Sequence, residues 1–241
     1  MRVREVEIME KTLKITNVLS DPTRYYIYQY ITKRHSDVTV QEIADTFEIH
    51  PNVARLHLTK LEDVNMLISE TKKTGKGGRP SRLYRLSDDV IQLHFPFRDY
   101  QLLSRIAIET MLSLGEAGKE ALFNTGKRFG QELAEQHSAA FGGLVSEIPF
   151  DQKLSILKEA ATTAGFYPEF AVADDQSTIY FKIFNCPFKE VAKHQTEAVC
   201  GMHHAFLQGM FSSIFDSVKL VEEEAITNGC QSCSYKVEIA N

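Results

Sequence analysis

Residues 38–70 read VTVQEIADTFEIHPNVARLHLTKLEDVNMLISE, and the pattern is helix, tight turn, helix, strand. Thr39 followed by Glu42 makes a capping box, which predicts a helix from about Val40 to Phe47 with Ile43, Ala44 and Phe47 facing a core. Glu48-Ile49-His50 breaks the periodicity. Pro51 then suits the first position of a new helix, where its missing N–H costs nothing, and the apolar spacing carries that helix through residues 51–65. At 100° per residue, Val53, Ala54, His57, Leu58, Leu61 and Val64 gather on one side, while Asn52, Arg55, Leu56 and Thr59 gather on the other.

The segment that follows decides what the second face is for. Met66-Leu67-Ile68-Ser69 reads as a strand, TKKTGKGGRPSR (71–82) is basic and glycine-rich, and Leu83-Tyr84-Arg85-Leu86 reads as a returning strand. A polar helix face alone is common on any surface, and a charged tip alone is usually a solvated run. A helix followed at once by a basic hairpin is far more specific: it is the layout of a winged helix-turn-helix, one element for the major groove and one for the backbone or minor groove of double-stranded DNA. Asn52 and Arg55 carry the donor geometry for adenine and guanine edges, and Thr59 can meet a phosphate or a thymine methyl. Lys72, Lys73, Lys76, Arg79 and Arg82 are the candidate phosphate or minor-groove contacts. Upstream, residues 5–19 have helical periodicity, and Ser20-Asp21-Pro22 marks the start of another helix.

Length and charge agree with a two-part chain. At 241 residues the protein exceeds the common single-domain size. Residues 1–99 hold sixteen Lys and Arg against fourteen Asp and Glu, net +2, and residues 100–241 hold eleven against eighteen, net −7. The basic surplus is densest between Glu70 and Asp88, where six cations stand without a carboxylate. The charged start MRVREVEIMEKTLK lacks a signal-peptide core and no run of 18 apolar residues occurs, so a cytoplasmic protein with no membrane partner is expected. In a reducing compartment Cys186, Cys200, Cys230 and Cys233, all in the last 56 residues, are read as thiols or metal ligands rather than disulfides.

Beyond the break at Leu93-His94-Phe95-Pro96-Phe97, a helix from Asp99 carries Leu102, Leu103, Ile106, Met111 and Leu114. Such a stripe suits either packing within its own domain or the pairing of two copies in a homodimer that reads two half-sites. A second helix runs to about Gln136, another spans 152–164, strands follow at 166–173 and 178–185, a long helix at 188–215, and strands at 218–225 and 233–239. The expectation is an α+β chain: an N-terminal winged helix-turn-helix (1–92), a helical linker and dimerisation region (93–145), and a C-terminal α+β domain with a small antiparallel sheet (146–241). In the last strand Cys233, Tyr235, Val237 and Ile239 share the inward face.

Three motifs in the front half, SDPTR (20–24), RLHLTKLE (55–62) and GGRPSRLYRLS (77–87), resemble the ArsR-type winged-helix regulators of the iron–sulfur-biogenesis repressor group. His50 and Asn52 stand where that group has Ser or Thr, so its operator does not carry over. In the back half NCPF (185–188), VCGMHH (199–204) and CQSCSYKV (230–237) resemble the vinyl-reductase-like sensing domain of those repressors. That resemblance implies a [4Fe–4S] cluster on Cys186, Cys200, Cys233 and Cys230, although the cysteine spacing departs from the group's strictest pattern. Chemically the thiols suit a cluster or zinc, and unligated packing cysteines are the bland reading. His203 and His204 read as packing residues. Pro187 places Cys186 at a helix entrance, where a thiolate is favoured. The functional expectation is a transcriptional repressor sensing a cluster or metal. The rivals are a regulator sensing an apolar molecule through Phe166, Phe170, Phe181 and Phe188, and an enzyme of the vinyl-reductase type, for which no nucleophile–base pair or nicotinamide motif is present.

Overall fold

A computed structural model describes residues 2–72, 81–93, 95–96, 98–139 and 145–240, the side chains of 2–8 and 240 excepted. The fold is α+β, and the chain divides into two compact units, Met1–Arg98 and Asp99–Asn241.

In the first unit α1 (Arg2–Leu19) leads to α2 (Pro22–Arg34), which starts where Asp21 accepts a hydrogen bond from the Arg24 amide at 2.9 Å. The two-residue strand β1 (Val38–Thr39) passes directly into α3 (Val40–Thr46), and the Thr39 hydroxyl accepts from the Glu42 amide at 3.1 Å. Only this half of the expected capping box forms. The Glu42 carboxylate turns instead to the Tyr30 hydroxyl at 3.0 Å and to Arg34 at 2.6 Å, so it ties α3 to α2. Glu48 takes a left-handed turn conformation (φ 53°), and α4 (Pro51–Glu62) begins behind the His50 cap. The strands β2 (Leu67–Lys72) and β3 (Ser81–Leu86) form the hairpin, with β1 on the far side of β3, in the order β1-β3-β2. Ile27, Ile31, Ile43, Leu58, Leu61, Leu67 and Tyr84 fill the core between helices and sheet.

The second unit opens with α5 (Tyr100–Leu112), turns at Gly115 (φ 67°), and continues as α6 (Glu116–Ser138) and α7 (Phe150–Thr163). Strands β4 (Pro168–Val172), β5 (Thr178–Ile183), β6 (Ser217–Glu224) and β7 (Cys233–Ala240) make one antiparallel sheet in the order β4-β5-β7-β6. The single helix expected over 188–215 is broken into α8 (Lys189–Ala192) and α9 (Thr196–Ser212), and the Thr196 hydroxyl donates to the Ala192 carbonyl at 2.8 Å across the break. α9 lies against α6 at backbone distance. A Cβ at Gly130 would stand 1.9 Å from the Phe206 carbonyl oxygen, and one at Gly209 would stand 2.0 Å from that of Lys127. Phe166, Phe181, Phe211, Ile156 and Val237 lie in the core between this helix layer and the sheet. Cys233 and Tyr235 point inward as their alternation predicts.

Candidate functional site

The first unit presents α4 as a helix with one face committed and one free. Ala54, His57, Leu58 and Leu61 are buried. His50 caps the helix through its ring, Nδ1 accepting from the Asn52 amide at 3.1 Å. The Asn52 and Arg55 side chains are exposed and have no hydrogen-bond or ion-pair partner among the described residues; Thr59 is half-buried on the same side. Val53 corrects the sequence reading: it lies at the flank of the buried stripe and is 41% exposed, so the core is built without it. Lys60, which the sequence reading passed over, is exposed in the last turn.

Beneath α4, His57 accepts from Arg24 Nε at 3.4 Å, while Arg24 Nη1 donates to the Val18 carbonyl at 2.8 Å and Nη2 lies 3.6 Å from Asp21. Burial holds the His57 imidazole below its ordinary value, the Arg24 charge adds to this, and the Asp21 charge opposes it. A neutral ring is therefore clamped between α4 and α2.

The hairpin side differs from expectation at one residue. Arg82 Nη2 donates to both Glu62 carboxylate oxygens at 2.9 and 2.8 Å, its Nε donates to the Ser69 hydroxyl at 2.7 Å, and its guanidinium lies 5.3 Å from the centre of the Tyr84 ring. The Ser69 hydroxyl completes the triangle by donating to Glu62 at 2.7 Å. A side chain so engaged ties the end of α4 to both hairpin strands. Lys72 is exposed at the end of β2. Lys73, Lys76 and Arg79 lie outside the described residues.

In the second unit the cysteines come from four places. Cys186 follows β5, Cys200 sits on α9, Cys230 precedes β7 and Cys233 begins it. They are near enough that ionisation of one would disfavour ionisation of another: Cys233 and Cys200 act on Cys186, and Cys200 and Cys230 act on Cys233. Burial is the larger cause throughout, pushing the Cys186 thiol up to about 11 and raising Cys200 and Cys233 as well. The expected activation of Cys186 by a helix terminus is thus overturned. α8 is a single turn that begins at Lys189, and desolvation outweighs its amides.

Two of the sulfurs have local partners. Cys186 Sγ lies 3.7 Å from His203 Nδ1, and Cys233 Sγ accepts from the Ile226 amide at 3.3 Å. His203 is buried between the Phe166 and Phe188 rings, at 5.1 and 5.2 Å, with Nε2 unpartnered among the described residues. Among the described residues, no three His, Cys, Asp or Glu side chains stand placed around one metal ion. The four phenylalanines named for an apolar pocket largely pack on their neighbours, Phe170 stacking on Phe181 at 4.7 Å and Phe166 meeting Phe206 at 5.9 Å.

Two family models match stretches of the chain. Residues 19–70 match the helix-turn-helix domain family, and residues 139–238 match the family described as methanogen output domain 1. A search of curated proteins finds no match. Among solved structures, the chain is similar to a trafficking protein particle complex subunit 3 from Naegleria fowleri covalently bound to palmitic acid, at 16% identity over 58% of this chain and 97% of that one, TM-score 0.41. It is also similar to the phenol-responsive sensory domain of the transcription activator PoxR with phenol, at 16% identity over 77% and 89%, TM-score 0.42. Neither likeness is close enough to carry an argument. No helix among the described residues is long and apolar enough to cross a membrane.

Proposed function

We propose that the chain is a sequence-specific DNA-binding transcriptional regulator that works as a homodimer, with its C-terminal unit receiving the signal. The observation that carries this reading is the free face of α4, where unpartnered Asn52 and Arg55 stand in a domain matched to the helix-turn-helix family and followed by a basic hairpin. In this reading Asn52 and Arg55 meet base edges, and Thr59 meets a phosphate or thymine methyl. Lys72, Lys73, Lys76 and Arg79 meet the backbone or minor groove. Arg82 holds the hairpin against α4. Pairing is assigned to α5, none of whose residues is buried and whose Leu102, Leu103 and Ile106 are all exposed; a helix without a buried face gains its stability from a partner.

The C-terminal unit acts by binding its signal differently in two arrangements of the dimer, and so changing the spacing of the two α4 helices. The match to an output domain supports a regulatory role, and the cysteine motifs support their end of the unit as the entry point. Their likeness to the motifs of the iron–sulfur repressor group makes an iron–sulfur cluster or a metal ion held by thiols the candidate signal.

The test is selection from a randomised duplex library with anoxically purified protein, alongside iron, sulfide and zinc analysis of the same sample. Salt titrations then compare variants on a selected duplex. Arg55→Ala relaxes sequence preference by roughly 1–3 kcal/mol at its base, and Lys72→Ala weakens all sequences and lowers the salt slope by about one. Failure to enrich any sequence contradicts the reading.

A further inference from the structure

The free face of α4 is not purely polar. Val53 and Leu56 lie one helical turn apart on the exposed side, 41% and 55% accessible, and they alternate with the unpartnered Asn52 and Arg55 in the first turns of the helix. The core is supplied by Ala54, His57, Leu58 and Leu61, so neither aliphatic side chain is needed to hold α4 in place. An isolated exposed aliphatic residue requires no explanation, but here two are set among the donors that would face base edges, beside a basic hairpin.

Within the major groove one base-edge group is apolar, the 5-methyl of thymine; the others are hydrogen-bond donors and acceptors. A short branched side chain at the helix flank and a longer one nearer its centre complement such methyls at two successive steps, while Asn52 and Arg55 take the polar edges beside them. We propose that Val53 and Leu56 are specificity-determining residues that read thymine methyl groups, so that the operator carries thymines opposite the first two turns of α4. This rests on the DNA-binding reading above. It adds what that reading lacks, a class of base recognised by contact area rather than by hydrogen bonds.

The experiment uses the full chain and a duplex selected from a randomised library. Each thymine in the protected segment is replaced in turn by deoxyuridine, which removes the methyl and leaves every hydrogen-bonding edge intact. Wild type loses about fourfold in affinity at each contacted methyl, the value of burying one carbon. Val53→Ala and Leu56→Ala each bind the thymine duplex more weakly, and each becomes indifferent to deoxyuridine at its own position. Both positions are on the surface, and unchanged far-UV circular dichroism shows that the variants fold. Unchanged wild-type affinity at every deoxyuridine position overturns the proposal while DNA binding stands. Failure to select any duplex removes the reading on which it rests, and the proposal with it.

Discussion

The His57 ring is buried beneath α4 against Arg24 of α2, and the consequence of that burial is a pH dependence whose sign is fixed. The folded His57 resists protonation relative to the ordinary imidazole value of 6.5, chiefly because it is buried. The unfolded chain therefore binds the proton first: the stabilisation is complete above about 6.5 and is lost as pH falls through that value toward the lower folded one. Denaturant titrations of the wild type should show the N-terminal unit weakening from pH 7.5 to 5.5. His57→Asn, which keeps an acceptor for Arg24 Nε but does not titrate, should flatten that part of the profile; an unchanged slope would remove His57 as the cause. This network was hidden from sequence reading for a plain reason. His57 sits on the apolar stripe of α4 and was placed there correctly, but its partner lies 33 residues earlier, and periodicity reports the face a residue occupies rather than what it meets there.

Between elements, local signals were legible and long-range ties were not. Thr39, Pro51 and Asp21 announced helix starts because a cap acts within three residues. The hairpin strands followed from alternation and glycine. Arg82 was read as a phosphate contact from its place in a basic run, whereas its partner Glu62 lies 20 residues away and became visible only in the fold. An exchange of charges separates these two roles. Glu62→Arg and Arg82→Glu singly should each lower DNA affinity, and the double variant should recover most of it with an unchanged salt slope; a phosphate contact would not recover. In the second unit, the contact of α6 with α9 gives a matched pair of tests. Gly130→Ala drives a methyl into the Phe206 carbonyl and should cost about 2–3 kcal/mol in thermal or denaturant unfolding. Gly201→Ala, with nothing within 4 Å of the added carbon, should be neutral or gain up to about 1 kcal/mol from helix propensity. Equal effects at the two sites would mean that the helices do not touch there.

At the scale of the whole molecule, a basic surplus in the first 99 residues and an acidic remainder keep attraction to a polyanion confined to one unit. In the second unit, spacing could not foretell that burial, rather than a helix terminus, dominates at Cys186. Pairing through α5 makes its own prediction. Leu103→Glu with Ile106→Glu should turn a dimer into a monomer in sedimentation equilibrium and weaken binding to a two-half-site duplex far more than to a single half-site. A dimer that survives both charges would move the interface elsewhere. The proposed DNA recognition requires α4 and the hairpin to engage one duplex together. A photo-crosslinking amino acid placed at Arg55, and separately at Lys72, in complex with a selected duplex should give adducts from both positions, with bases from the first and with the adjoining backbone or minor groove from the second. Retained binding with no adduct from position 55 would contradict it.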